Sequence, residues 1–210
     1  MAPEAKEPAG LTLDAWADMD EDEPGELVEG RLVEEEVPSF LHEAVVAWLI
    51  RVLDVWASTR GGWVFGSETK IGMRELRRGR KPDVMMYLPR SRPPARGRSM
   101  VTRPPDVVIE VLSPQPRDVR RDRVEKMDEY ARFGVPFYWI LDPQNRLMEI
   151  YERIEGGSYV RRFAAVQGIH EVPGCEGLLM DLDALWMRLD ALPDEDEDEA
   201  GDEGEGASSL

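Results

Sequence analysis

Between residues 40 and 58 apolar side chains return every three or four positions: Leu41, Val45, Trp48, Leu49, Val52 and Trp56. That repeat puts them on one face of a helix, which Gly61-Gly62 then ends. Elsewhere the pattern shortens. WVFGSETKIGM (63–73), PDVMMYL (82–88) and FYWILDP (137–143) read as strands, and VVIEVLSP (107–114) is a near-continuous apolar run expected to be covered on both faces. RDVRRDRVEKMDEYARFG (117–134) returns to helical spacing and closes on Gly134. Residues 146–154 and 158–166 form a hairpin across Glu155-Gly156-Gly157-Ser158.

At the N-terminal side, LTLDAWADM predicts a short helix capped by Thr12 or Asp14, and ELVEGRLVEEE (26–36) predicts paired short strands around Gly30. Residues 89–105, rich in Pro, Arg and Gly, predict a loop or flap, and LLMDLDALWMRL (178–189) a last strand running into a docking helix. The order gives an α/β (α+β) fold with a mixed central β-sheet flanked by helices.

The chain has 210 residues, enough for one domain with a substantial core. Its single cysteine, Cys175, excludes a disulfide framework and fits a reducing, cytoplasmic setting. No apolar run reaches the ~20 residues that cross a bilayer, so no membrane partner is expected, and the polar, acidic first residues do not resemble a signal peptide. The net charge of -17 speaks against nucleic acid until it is mapped. Residues 1–36 hold 13 acids and 2 bases, and 194–210 hold 9 acids and no base, which leaves 37–193 at +3. Within that middle, 74–103 carry ten bases against two acids. The chain thus divides into an acidic segment with a short helix (1–23), a folded domain (24–190) and an acidic, disordered tail (191–210). The plain reading of the tail is solubility; the sharper one is competition with nucleic acid for the basic surface.

A carboxylate inside VVIEVLSP costs several kcal/mol unless something compensates it. Glu110 is either paired with a buried arginine or shares a cation with a second acid. Asp83 opens the PDVMMYL strand, and on neighbouring strands the two would converge at one sheet edge. Carboxylates ~4 Å apart repel unless protonated or bridged, and Mg²⁺ (or Mn²⁺) takes one or two of them together with water and phosphate. Asp106, Val108, Glu110 and Leu112 share a strand face, with Asp106 read as a turn residue after Pro104-Pro105. Lys126 is either a basic group for the site or the i,i+4 partner of Asp122 on a surface. His42, beside Glu43, is a helix-end residue, a metal neighbour or a proton carrier. Glu26 and Glu29 could add a carboxylate from the N-terminal hairpin, but nothing local distinguishes them from the acidic flank around them. Ser113 lacks a G-x-S-x-G setting, and no neighbour of Cys175 would activate it.

PDVMMY, PPDVVIEVLSP, RDRVEK and FGVPFYWILDP, in that order, resemble the widespread bacterial Uma-two family of restriction-endonuclease type, within the PD-(D/E)XK nuclease superfamily. ELVEGRLV and His42 extend the resemblance over roughly 24–165. It implies a restriction-endonuclease-like core with Asp83 and Glu110 as metal-binding acids and Asp83, Glu110, Lys126 and His42 as catalytic residues. The superfamily lysine would lie two residues after the second acid, where this chain has Leu112; the family pattern supplies one from the next helix, here Lys126 following Asp122. Phe137 stands where relatives often have Glu, and no acid directly precedes His42.

The expected function is Mg²⁺-dependent hydrolysis of DNA phosphodiester bonds. Arg74, Arg77, Arg78, Arg80, Lys81, Arg120 and Arg121 would contact phosphates without reading sequence. A homodimer is the form that double-strand cleavage would call for. The rival reading is a nuclease-fold module that binds nucleic acid or protein and has lost turnover, motivated by Leu112 and Phe137.

Overall fold

A computed structural model of the chain describes residues 10–19, 25–34 and 37–193. The acidic stretches 1–9 and 194–210, and with them nearly all of the expected disordered tail, lie outside the described residues.

The long helix forms where its periodicity places it. Helix α2 (Phe40–Ser58) starts at Ser39, whose hydroxyl accepts the His42 N–H at 3.2 Å, and it buries Val45, Trp48, Leu49 and Trp56. The short α1 (Leu13–Ala17) is capped by Thr12, which accepts the Ala15 N–H at 3.1 Å. Strands β1 (Glu26–Val28) and β2 (Arg31–Val33) pair antiparallel across the Glu29-Gly30 turn.

The stretch expected as one strand over 63–73 is two, β3 (Trp63–Phe65) and β4 (Lys70–Met73), and they belong to different sheets. Between β4 and β6 (Val84–Tyr87), the Arg-rich connection contains a further strand, β5 (Arg78–Arg80). Its central Gly79 is required by packing: a Cβ there would sit 2.5 Å from the Trp16 ring. The loop 89–105 likewise contains a two-residue strand, β7 (Met100–Val101), paired parallel to β4. Next come β8 (Val107–Val111), a continuous helical run over Pro116–Phe133, and β9 (Phe137–Asp142). The run consists of α3 (Pro116–Arg120), a π-helical segment (Arg121–Lys126) and α4 (Met127–Phe133), closed by Gly134 in the left-handed region (φ +98°). The hairpin β10 (Leu147–Arg153) and β11 (Tyr159–Ala165) pairs as expected. A small sheet of β12 (Ile169–Glu171) and β13 (Leu179–Asp181) leads into α5 (Leu182–Leu189).

The central sheet has the order β11-β10-β9-β8-β6-β3, antiparallel except for the parallel β8–β9 pair. Its two faces bury separate cores. Val107, Ile109 and Val111 face α2 and α5, while Val108 and Leu112 face Tyr130, Tyr138 and Ile140. Helices therefore cover both faces of a mixed sheet, as expected. A second sheet, β2-β1-β5-β4-β7, adjoins the latter core through Ile71, Met73 and Val101.

Candidate active site

Strand register brings the two acids together. Val84 pairs with Ile109 in the antiparallel β6–β8 ladder, so the preceding Asp83 comes opposite Glu110. Asp83 is held there by its Oδ2, which accepts the Val111 N–H at 2.7 Å. Its Oδ1 lies 3.2 Å from His42 Nε2, delivered by the first turn of α2. Burial opposes the charge of His42, but the Asp83 carboxylate and then Glu43 outweigh it and raise the imidazole pKa.

Glu110 is fully enclosed, and what meets it is a lysine and a phenol rather than an arginine. Lys126 Nζ lies 3.0 Å from Oε2, and the Tyr130 hydroxyl donates to Oε1 at 2.9 Å. The same ammonium lies 3.3 Å from Asp122 Oδ1 and 3.4 Å from Glu26 Oε1. Asp122–Lys126 is thus an i,i+4 pair and also part of the site, which joins the two readings of Lys126. The π-helical segment has a geometric consequence. Four-residue steps overshoot a full α-helical turn and drift around the axis, whereas wider π winding reverses the drift. Asp118, Asp122 and Lys126 consequently all line one cleft.

Charge in this cluster is out of balance. Burial drives the Glu110 carboxyl well above the usual range; Lys126 opposes that shift, but Asp122, Asp83 and Glu26 reinforce it. Burial opposes the Lys126 charge too, yet Glu110, Glu26 and Asp122 together hold the ammonium well above the ordinary lysine value. Glu26 stays ionised below its usual range despite burial, because Lys126, Arg80 and Arg121 surround it. Arg80 reaches Glu26 at 2.5 Å and grips Glu129 with two nitrogens at 2.7 and 2.9 Å. Asp118 is buried with an ion pair to Arg121 at 3.0 Å, but neither of its oxygens receives a hydrogen bond.

The cleft, about 270 Å³, is lined by His42, Lys81, Asp83, Glu110, Ser113, Asp118, Arg121, Asp122 and Lys126 among others. Asp83, Glu110, Lys126 and His42 are thus brought together. The basic residues expected to contact phosphate separate into groups. Lys81 and Arg121 line the cleft, and Arg77 and Arg120 are exposed. Arg74 is bound to Asp14, and Arg78 is engaged by Glu29 and Glu129. Arg80 corrects the expectation: it is 1% exposed, so it offers a phosphate no surface and serves the Glu26–Glu129 network. Glu26, Asp118 and Tyr130 were not singled out from sequence. The four-residue spacing Asp118–Asp122–Lys126 was the readable signal for Asp118, whereas Glu26 depends on a pairing with Arg80 54 residues away.

Among the described residues no three His, Cys, Asp or Glu side chains form a metal-ligating group. A hard divalent ion does not need one, since Mg²⁺ takes one or two carboxylates and completes its shell with water and phosphate. Asp83 and Glu110 supply that donor set, and a cation would offset the burial, and after it the neighbouring carboxylates, that push the Glu110 carboxyl up. The residues fit such an ion.

A mixed sheet flanked by helices, with Asp83 set opposite Glu110 at its edge, has a restriction-endonuclease-like architecture. More narrowly, the chain belongs to the Uma-two family, described as "Putative restriction endonuclease", whose model matches residues 12–185. Its fold is similar to the crystal structure of "a putative nuclease belonging to DUF820" from Anabaena variabilis, with a TM-score of 0.68, 19% identity, and coverage of 85% of this chain and 99% of that one. No curated protein matches the chain.

Proposed function

We propose that the chain is a divalent-metal-dependent endonuclease that hydrolyses DNA phosphodiester bonds in the Asp83–Glu110–Lys126 cleft. The observation that carries this reading is Lys126, a fully buried ammonium held 3.0 Å from a carboxylate that stands opposite a second acid. Asp83 and Glu110 would hold Mg²⁺ or Mn²⁺, which when bound supplies an activated water and neutralises charge developing on the phosphate. Lys126 keeps its proton throughout the working pH range and donates toward the developing oxyanion. His42 orients Asp83 through Oδ1, the oxygen that the Val111 N–H does not hold. Lys81 and Arg121 place positive charge at the cleft wall, where a substrate phosphate would rest.

The departures at Leu112 and Phe137 leave this arrangement intact. Leu112 is a core residue packed with Val108 and Tyr138, so Lys126 takes up the role of a strand lysine. Phe137 pairs with Val107, and Glu110 pairs with Ile140, three residues farther along β9 and ~10 Å away. A glutamate at 137 would therefore stand well apart from the cleft. Both points favour turnover over a binding-only module.

The test is incubation of supercoiled and single-stranded DNA with Mg²⁺ or Mn²⁺. Wild type is expected to nick or linearise DNA, while Asp83→Ala and Glu110→Ala are expected to lose that activity yet still bind DNA. Equal absence of cleavage by wild type and Asp83→Ala across metals and substrates would sink the enzyme reading.

A further inference from the structure

Acids outnumber bases in this chain 43 to 26, yet residues 84–105 contain five arginines and no acid. Arg90, Arg92, Arg96, Arg98 and Arg103 are all exposed. Many of the other arginines are ion-paired within the chain, Arg74 with Asp14, Arg80 with Glu26 and Glu129, Arg123 with Glu149 and Asp142, and Arg146 with Asp190, whereas Arg77 and Arg120 stand exposed but not clustered on one loop. None of the five has an ion-pair partner among the described residues. Concentrating unpaired guanidinium groups on one loop costs mutual repulsion unless an anion answers them.

The loop is fixed at both ends. Asp106 accepts the Leu88 N–H at 2.7 Å and the Ser91 hydroxyl at 2.8 Å, which ties down the base where the chain leaves β6. On the return, Met100 and Val101 pair with Lys70 and Ile71, and Val101 is buried. Between these anchors the chain turns at Ala95–Arg98, closed by the Arg98 N–H to the Ala95 carbonyl at 3.2 Å. Pro93 and Pro94 stiffen the approach to that turn. The result is an arm with a rigid base and a basic tip.

Its position separates it from the cleft. Asp83 and Glu110 occupy one end of the β6–β8 ladder, and Leu88 and Asp106 bracket the other. Three residues of strand lie between Glu110 and Asp106, four steps or about 13 Å, whereas the arm's return at Met100 pairs with Lys70, two residues from the cleft-lining Glu68. Phosphates along one strand of a duplex are spaced ~3.4 Å along the axis, so the distance at the Asp106 end corresponds to about four nucleotide steps.

We propose that residues 89–103 form a second phosphate-binding surface, an arm that grips the backbone of a nucleic acid polymer away from the bond held in the cleft, about four nucleotides off at its Asp106 end. This rests on the reading of the cleft as a nuclease site. Guanidinium groups suit the role because their planar forks bind phosphate bidentately, and contacts to the backbone carry no sequence information. The arm makes the preferred substrate an extended duplex rather than a short oligonucleotide.

The experiment measures binding of a labelled duplex of about 30 bp, long enough to span both surfaces, and of a labelled dinucleotide, one ~3.4 Å step long and too short to do so. Asp83→Ala protein, without metal, serves as the reference, so that binding is read without cleavage. Adding Arg92→Gln, Arg96→Gln and Arg98→Gln together is expected to weaken long-duplex binding at least tenfold at low salt. The slope of log affinity against log salt is expected to fall by roughly 2–3, at ~0.9 for each phosphate the arm ceases to neutralise. The dinucleotide is expected to show no such loss, and the circular dichroism spectrum and Tm should be unchanged, because these side chains are exposed.

An unchanged slope and affinity for the long duplex, in a folded triple variant, overturns the proposal. Failure of the arm and failure of the cleft are separable. Metal-dependent cleavage with silent arm substitutions overturns the arm alone, and arm-dependent binding without any cleavage overturns the nuclease reading alone.

Discussion

Replacing Lys126 by methionine tests the central electrostatic claim. Methionine fills nearly the same volume and removes only the charge, so cavity effects stay small. What it leaves is three buried carboxylates, Glu110, Asp122 and Glu26, that had shared one ammonium within 3.4 Å. Breaking a buried ion pair by removing one partner costs about 3–5 kcal/mol. At ~2–4 °C per kcal/mol for a chain of this length, the Tm should fall on the order of 10 °C near neutral pH. The deficit should also depend on pH, with a definite sign. Wild-type Lys126, held above its ordinary value of 10.5, stays charged from acid to well past neutral pH and contributes its full stabilisation there. Glu110 is raised already, and losing Lys126 removes its chief stabilising charge and raises it further. A carboxyl raised on folding takes up a proton as the pH falls, which relieves the variant more than the wild type. The Tm gap should therefore be widest near about pH 8 and narrow toward about pH 5. Urea unfolding followed by circular dichroism at both pH values gives the two differences. A loss below about 1 kcal/mol, or a gap that does not change with pH, would refute the assignment of Lys126 as the cation of a carboxylate-rich cluster.

Three further outcomes follow from the same contacts. Tyr130→Phe strips one buried oxygen of Glu110 of its donor and should cost about 1.5–3 kcal/mol in urea unfolding, the range for a hydrogen bond to a charged group. Leu112→Met should cost less than about 1.5 kcal/mol and keep cleavage, whereas Leu112→Ala should cost about 2–5 kcal/mol with the loss read in stability rather than chemistry; abolished cleavage in a fully stable Leu112→Met would contradict a purely packing role. Burial acts against the Glu149 charge, but Arg123, Arg161 and Tyr151 hold its pKa below the ordinary 4.5, so the Tm advantage of wild type over Glu149→Gln should be present above that pH and vanish as acid protonates the carboxylate, measured by thermal melts across the acid range.

What was legible in sequence is what depends on local periodicity. Helix α2 coincides with the stretch its apolar spacing marked, and the unbroken run around Glu110 became a strand buried on both faces. The pairing of Asp83 with Glu110 was also within reach, because each acid sits at a recognisable place in its own strand. Strand β5 was not: Arg78-Gly79-Arg80 has neither alternation nor β-branched residues, and its pairing is dictated by β1 and β4 and by the Trp16 ring over Gly79. The same residues misled the reading of charge. In a linear count Arg80 joins a basic patch, but in the fold it is neutralised inside by Glu26 and Glu129, which lie 54 and 49 residues away in the chain. Charge density along a chain predicts a basic surface only where strand pairing leaves the side chains outside, as it does for the arm at 89–103.

The position of the lysine accounts for the network around it. A lysine two residues after Glu110 would share that acid's strand face and reach it along the sheet. Here that position is Leu112, which fills the core beneath the helix, and the ammonium comes from the helix layer above. A charge crossing that interface is fully desolvated and stays ionised only if carboxylates escort it; Glu26 and Asp122 do so in addition to Glu110. Buried carboxylates need their own cations, which brings Arg80 to Glu26 and Arg121 to the Asp118–Asp122 side. Arg80 in turn is completed by Glu129, and Glu129 by Arg78. The hairpin at the start of the domain, the strand between β4 and β6 and the π-helical segment are thus tied together by one displaced side chain. Glu26 and Arg80, which touch neither Asp83 nor Glu110, are expected to govern where the Lys126 ammonium rests.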